Sequence, residues 1–329
     1  MKRVLTGLQP SGQLHLGNYA GAIRQLLDLQ HDHEVYVFVA SYHALTTSTD
    51  SAELRQNIRQ VVIDYLAFGL DPSKCYIYLQ QDVPAVCELA WLLSCVCPKS
   101  QMDKATTFKD KVAKGLSANL GLYTYPVLQA ADILAVDPDA VPVGADQKQN
   151  VEIARDLAQK FNHVYGSEDT PVFKVPALMM REGAATLPGI DGQKMSKSYG
   201  NGIDPFMPEK PLRKRIMKIV TDSKPPEEAK DADSSVPFQI FSALAGPDDE
   251  RTQKLRGRYA ATGDDGMGYG EAKQALLELV MDTFAEPRKR REELMQDQAS
   301  IDRVLKDGAD AANARLSKTI ERARKAVGF

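Results

Sequence analysis

Four stretches of the chain carry residue types whose spacing suits phosphate or amino-acid chemistry. Residues 7–18 read Gly-Leu-Gln-Pro-Ser-Gly-Gln-Leu-His-Leu-Gly-Asn. Small residues let a backbone approach phosphate closely, and a helix beginning after such a loop offers free N–H groups and partial positive charge. His15 can donate to a phosphate oxygen as charge builds there, and Gly17 leaves room for a flat ring. Taken alone, the stretch is equally well read as a strand–loop–helix junction with a stray histidine. Residues 194–198 read Lys-Met-Ser-Lys-Ser, with Gly189 and Gly192 before them and Gly200 and Gly202 after. Two lysines in a hinged loop suit a charged leaving group, and the alternative is a solvated lysine loop. Asp132 lies in an otherwise apolar stretch, where a carboxylate is costly unless paired; otherwise it is a surface or structural acid. Residues 141–150, Val-Pro-Val-Gly-Ala-Asp-Gln-Lys-Gln-Asn, form a strand-to-helix junction in which Asp146 could simply cap the helix.

Those residues need a frame. Val4, Leu5 and Thr6 begin a short strand. The β-branched and aromatic run over 34–40 predicts a buried parallel strand, and 75–80 a third. Helices are expected over 18–30, over 51–68 with Ser51 as N-cap, and over 85–96. A charged segment over 99–115 carries Lys99, Lys104, Lys109, Lys111 and Lys114. A helix over 121–134, a strand at 141–143, a helix over 147–161 and an extended segment at 171–176 follow. Strand and helix in alternation imply an α/β fold, a Rossmann-like doubly wound parallel sheet whose ligands bind beyond the carboxyl ends of the strands. Beyond Gly200 nothing alternates like a strand, and helices are expected over 210–221, 236–245, 269–293 and 300–327. The domains so read are a nucleotide- and amino-acid-binding domain over 1–200, a helical domain over 201–295, and a C-terminal helix over 296–329 packing back on the first.

Composition bounds the classes. The 329 residues are 43% apolar and 26% charged with a net charge of -3, which is ordinary for a soluble protein and advertises no nucleic-acid partner as a whole. The start is too short an apolar stretch for a signal peptide, and no apolar run approaches the roughly 18 residues of a membrane span. A cytoplasmic protein with no membrane contact is the expectation. Cys75, Cys87, Cys95 and Cys97 lack metal-site spacing and are expected to be reduced, partly buried thiols.

Taken together, residues 15–18 and 194–198 resemble the two signatures of class I aminoacyl-tRNA synthetases in order and wide separation. Asn18, where the class signature ends in His, matches the tryptophan branch. Residues 123–134 resemble that branch's substrate helix and 141–150 its strand-to-helix segment, with Ala145 in place of the usual Glu. The resemblance covers nearly the whole chain. It implies a tryptophanyl-tRNA synthetase activity in two steps. Tryptophan and ATP give the adenylate and pyrophosphate, and tryptophan then passes to tRNA(Trp).

By the same resemblance His15, Lys194 and Lys197 act on the phosphates. Gln9, Pro10, Ser11, Gly17, Asn18, Gly144, Ala145, Asp146, Ile190, Met195, Ser196 and Ser198 join Lys194 and Lys197 in binding ATP. Asp132 accepts the indole N–H, Tyr125 and Gln147 hold the amino and carboxylate groups, and Gln129 and Leu5 line the pocket where relatives carry Met and Phe. A pocket built around such a bond rejects a substrate lacking the donor by roughly 10⁴–10⁵. Mg²⁺ accompanies ATP, the active form is a homodimer, and with no cysteine after Cys97 no iron–sulfur cluster is expected. Lys210, Arg213, Lys214, Arg215 and Lys218, with the 288–291 cluster Arg-Lys-Arg-Arg, could position tRNA phosphates; a solvated helix face is the bland alternative. A tyrosyl-tRNA synthetase and a non-catalytic synthetase-like tRNA-binding paralogue are the rivals.

Overall fold

The structure, a computed structural model, describes residues 1–329 except Ser11, 105–107, 109–111, Lys114, Leu116, 145–146, Glu168 and 181–185. Strands β1 (Lys2–Leu8), β2 (His33–Val39), β3 (Cys75–Leu79), β4 (Ala140–Val143) and β5 (Ala177–Met180) form one sheet in the order β3-β2-β1-β4-β5. Every pairing is parallel. β2 reads as a continuous apolar run because it is buried on both faces, with Val35, Val37 and Val39 fully covered. Strand order reverses between β1 and β4, the place where such sheets bind ligands.

The chain divides into two compact units, one of residues 1–12, 27–182 and 294–329, the other of 13–26 and 183–293. The sequence reading drew its lines at 200 and 295. In the first unit the core joins Leu89 and Leu93, Ala154, Leu157 and Phe161, and Leu316 and Ile320 of the last helix. Each such large side chain contributes roughly 1.5–3 kcal/mol by leaving water. The Gln298–Val327 helix lies against β3 through Gly308, where a Cβ would come within 2.0 Å of the Ile77 carbonyl oxygen. Thr319 Oγ1 donates to the Ala135 carbonyl at 3.1 Å and Arg324 grips Glu88 at 2.6 Å, which fixes the register of that helix. In the second unit, helices Glu209–Met217, Val236–Ala245, Glu250–Ala260 and Tyr269–Thr283 bury Leu212, Ile216, Phe238, Tyr259, Leu276 and Val280.

Several elements differ from the expectation. Asp50, not Ser51, caps the Ser51–Phe68 helix, its carboxylate accepting from the Ala52 and Glu53 N–H groups at 2.8 and 2.9 Å. The first helical stretch begins at Leu16 and contains a π-turn over Tyr19–Ile23 before Arg24–Asp32. The strand itself follows the expected extended segment at 171–176: β5 starts just after Pro176, which has no N–H to give a ladder. The 269–293 helix is broken at Phe284 into Tyr269–Thr283 and Ala285–Gln296, because Phe284 turns fully inward and Pro287 cannot continue the ladder. Glu250–Ala260 was not anticipated: it buries only Thr252, Leu255 and Tyr259, too sparse a stripe to read. The 210–221 helix ends at Met217. Lys109, Lys111 and Lys114 of the charged segment lie outside the described residues.

Candidate active site

In the first unit the chemistry gathers on Asp132, 4% exposed on the Leu120–Ala135 helix. Gln80, just past the carboxyl end of β3, sends its amide nitrogen to both carboxylate oxygens at 2.9 and 2.8 Å. The amide oxygen of Gln80 accepts from the Tyr42 N–H at 2.9 Å, so this side chain can face only one way. His43, on the short helix after β2, brings Nε2 within 2.7 Å of Asp132 Oδ2. Burial pushes the Asp132 carboxyl up from the ordinary carboxylate range, against the His43 and Gln80 hydrogen bonds, which favour the charged form. An ionised carboxylate has about four acceptor positions. Three contacts use three of them.

Around this cluster Tyr125 is nearly buried and meets the His43 ring edge-on at 6.2 Å. Gln129 donates to Gln147 Oε1 at 3.4 Å, and Asn150 donates to the same oxygen at 3.1 Å. Leu5, 1% exposed, belongs to the buried cluster that includes Val141 and Val143. A cavity of about 170 Å³ shares Tyr125 with this group, but Tyr42, Leu45, Thr46 and Leu128 line it and Asp132 does not; the chemistry lies with the carboxylate.

Gln9 and Pro10 leave the carboxyl end of β1, and Gly144 that of β4. These strands pair with Val4 opposite Ala140, so counting four residues on brings Leu8 level with Gly144 at the switch point. Ser11, Ala145 and Asp146 lie outside the described residues; the helix there starts at Lys148 with Gln147 in the cap position.

In the second unit the two signature stretches meet. The Leu16 N–H donates to the Ile203 carbonyl at 2.9 Å, and the Gly17 N–H to Met195 Sδ at 3.3 Å. Asn18 Oδ1 accepts from the His15 N–H at 3.0 Å and so closes the helix start. His15 is nearly buried between glycines: a Cβ on Gly17 would lie 3.0 Å from its Nδ1, and one on Gly202 3.1 Å from its Cβ. Its Nδ1 is buried with no hydrogen-bond partner among the described residues. Burial, then the charge of Lys197, pushes the His15 pKa down to about 4, so the ring is neutral at pH 7.

The lysine loop is a small hairpin. Leu187 and Met195 pair by a 2.8 Å backbone bond, Gly189 donates its N–H to the Gln193 carbonyl at 2.7 Å, and Gly192 turns the chain at φ +80°. The Ile190 N–H donates to the Asn201 carbonyl, and its own carbonyl accepts from Val220. Met195 is 3% exposed, whereas Lys194, Lys197 and Ser198 face solvent. Ser196 and Ser198 share a hydroxyl hydrogen bond at 2.8 Å.

The basic clusters are only partly available to a polyanion. Arg215 donates to the carbonyls of Gly200 and Gly202, and Arg213 to Gln274 at 2.6 Å. Arg291 stacks over Phe206 at 4.9 Å, and Arg288 is half-buried, its pKa lowered by that burial. Lys210, Lys214, Lys218, Lys289 and Arg290 are exposed. Sequence reasoning missed the contacts made by His43, Gln80, Asn201 and Arg215.

The chain belongs to the family described as tRNA synthetases class I (W and Y), whose profile matches residues 1–285. It is 44% identical over 331 residues to a tryptophan–tRNA ligase of Fusobacterium nucleatum, covering 100% of this chain and 98% of that one. It is 46% identical over 327 residues to a tryptophan–tRNA ligase of Rhodopirellula baltica, covering 99% of each. Among solved structures it is similar to the tryptophanyl-tRNA synthetase of Campylobacter jejuni complexed with ADP and tryptophan, with a TM-score of 0.91, 44% identity and coverage of 99% and 100%.

Proposed function

We propose that the protein activates L-tryptophan with ATP and transfers it to tRNA(Trp). The observation that carries the reading is the buried Asp132, held by Gln80 and His43 with one acceptor position to spare. An indole N–H is a donor with no acceptor of its own, and it fits that position. The full-length likeness to tryptophan–tRNA ligases supports the same conclusion.

In the first step the tryptophan carboxylate attacks the α-phosphate and pyrophosphate leaves. The displacement needs positioning and neutralisation of charge on phosphate oxygens more than covalent chemistry. His15, Lys194 and Lys197 supply that neutralisation, and pre-aimed donors of this kind are worth roughly 2.7–4 kcal/mol each. His15 is neutral before ATP binds; one ring nitrogen then donates to phosphate, and Nδ1 gains a polar neighbour it lacks. Gln9, Pro10, Ser11, Gly17, Asn18, Gly144, Ala145, Asp146, Ile190, Met195, Ser196 and Ser198 complete the ATP contacts. Tyr125 and Gln147 hold the amino acid's polar groups, while Gln129 and Leu5 line its ring. ATP enters as its Mg²⁺ complex. The exposed lysines of the Glu209–Met217 helix lie along tRNA phosphates.

The protein works as a cytoplasmic homodimer built of domains over 1–200, 201–295 and 296–329. Among the described residues no helix is long and apolar enough to cross a membrane. The test is ATP–pyrophosphate exchange with tryptophan and tyrosine side by side, followed by charging of tRNA. Exchange driven by tryptophan is expected. Exchange driven by tyrosine instead, or by neither, sinks the reading.

A further inference from the structure

Lys194 and Lys197 sit in a loop flanked by glycines, and long side chains on such a loop neutralise phosphate only if the backbone beneath them is held. The holding residue is visible. Asn201 is 2% exposed, although it is polar and stands between two glycines. Its Oδ1 accepts from the Ser196 N–H at 2.8 Å. Its Nδ2 donates to the Lys194 carbonyl at 3.1 Å and to Asp191 Oδ1 at 2.8 Å. Its own carbonyl accepts from the Ile190 N–H at 3.0 Å. One residue therefore ties down the hairpin at 190, 191, 194 and 196. The amide cannot be turned over, because the Ser196 N–H needs an oxygen and the Lys194 carbonyl needs a donor.

Gly189 lies flat on this amide: a Cβ there would approach Asn201 Cγ to 2.3 Å. Arg215 fixes the other side, donating from Nε to the Gly202 carbonyl at 3.0 Å and from Nη2 to the Gly200 carbonyl, so the carbonyls of both glycines flanking Asn201 are pinned to a helix. Leu212 and Ile216, both fully buried, anchor that helix. Gly202 in turn backs the His15 ring, and Ile203 accepts from the Leu16 N–H.

We propose that Asn201, braced by Arg215, is the positioning residue that sets Lys194 in register with His15; this rests on the synthetase reading above. Asn201 touches no substrate in this account. It acts through the Lys194 backbone, and Arg215 serves as part of the phosphate machinery's scaffold rather than as a tRNA contact.

The test is ATP–pyrophosphate exchange by the full-length protein carrying Asn201→Ala, Lys194→Ala, or both. A displacement near 1 Å can cost about 100-fold, so Asn201→Ala should lower kcat between about 10- and 100-fold while leaving the KM for tryptophan within about twofold. Because both substitutions remove the same interaction, the double variant should stay within about threefold of Lys194→Ala alone. Losses that multiply, an unchanged kcat in Asn201→Ala, or a tryptophan KM that rises in step with the loss of kcat would overturn the proposal. Should Asn201→Ala fail to fold, Asp191→Ala replaces it in the cycle. Asp191 is exposed, and the same non-additive loss of kcat, smaller in size, is expected; multiplying losses overturn the proposal there too. Wild-type protein without tryptophan-dependent exchange overturns both this proposal and the reading beneath it, whereas active wild type with an undiminished Asn201→Ala overturns only the role of Asn201.

Discussion

Replacing Asp132 by Asn keeps the shape of the side chain and changes only what its oxygens can accept. In the native cluster the carboxylate receives Gln80 Nε2 at 2.9 and 2.8 Å and His43 Nε2 at 2.7 Å. An amide in its place offers one oxygen and one NH₂ group to those two donors and the indole together. The indole N–H loses a charged acceptor, worth about 1.5–3 kcal/mol, which is roughly 10- to 150-fold in kcat/KM for tryptophan. A second cost falls on the protein, since a buried donor of Gln80 or His43 is left facing an NH₂ group, at about 1–3 kcal/mol. Burying the carboxylate's charge itself opposes folding, so the net loss of stability is smaller than that figure.

The assay is pyrophosphate exchange at saturating ATP with tryptophan varied, and with the KM for ATP as the control. The expected result is a loss confined to tryptophan. The pH profile carries the sign. The Asp132 carboxyl is raised by burial, so it binds its proton more tightly folded than unfolded; this residue favours folding below the raised value and opposes it as pH climbs through it. Its protonation removes the acceptor, so kcat/KM for tryptophan in the wild type falls on the acid side at a pH above the ordinary carboxyl value of 3.8, and that limb vanishes in Asp132→Asn. A kcat/KM for tryptophan within threefold of wild type would refute the assignment of Asp132.

Other substitutions separate the parts. His15 is depressed from 6.5 to about 4, so its contribution to stability is full above pH 6.5 and is lost as pH falls through about 4; in His15→Gln, urea midpoints measured across that window should lose part of this slope, and parallel curves would refute it. Gly17→Ala puts a Cβ 3.0 Å from His15 Nδ1 and 3.4 Å from Met195 Cβ; the ring must shift by a few tenths of an ångström, and single-turnover adenylate formation should slow about tenfold or more. Gly308→Ala drives a Cβ to 2.0 Å from the Ile77 carbonyl oxygen, which is strand backbone and cannot step aside; urea unfolding should show a loss of about 3 kcal/mol or more.

What the sequence made legible was local. The apolar run of β2 announces a buried strand, and the alternation of strand and helix announces the sheet. The charged face and buried stripe of the last helix are equally plain. The two signature strings are recognisable because their residue types are unusual at short range. What stayed hidden was pairing across long separations. Gln80 and His43 stand 52 and 89 residues from Asp132, and no pattern in a window of twenty residues links them. Asn201 looked like hinge composition between glycines; only the folded hairpin turns its amide inward. Arg215 looked like one more lysine-rich-face cation until its guanidinium found two carbonyls. The break at Phe284 was hidden because its apolar spacing continues the helix that Pro287 interrupts.

On the proposed role of Asp132, its geometry also bears on how an indole would be selected over a phenol. A carboxylate alone would accept either an N–H or an O–H. A phenol oxygen, however, is an acceptor as well as a donor, and once buried it needs a donor of its own. The two donors on the carboxylate, His43 Nε2 and Gln80 Nε2, are already turned onto it, and Gln80 is locked there by the Tyr42 N–H on its other end. Tyrosine would thus meet an acceptor whose two bound donors are already engaged, at a cost of about 1–3 kcal/mol, or roughly 5- to 150-fold before shape is considered. Gln80→Glu reverses that balance: it removes the amide donor and crowds a second carboxylate against Asp132. One of the two acids then holds a proton near neutral pH. That proton supplies the donor a phenol lacks, so discrimination measured by parallel exchange with tryptophan and tyrosine should narrow several-fold through better use of tyrosine. A ratio unmoved by Gln80→Glu would mean that ring shape alone, and not this hydrogen-bonding pattern, chooses the amino acid.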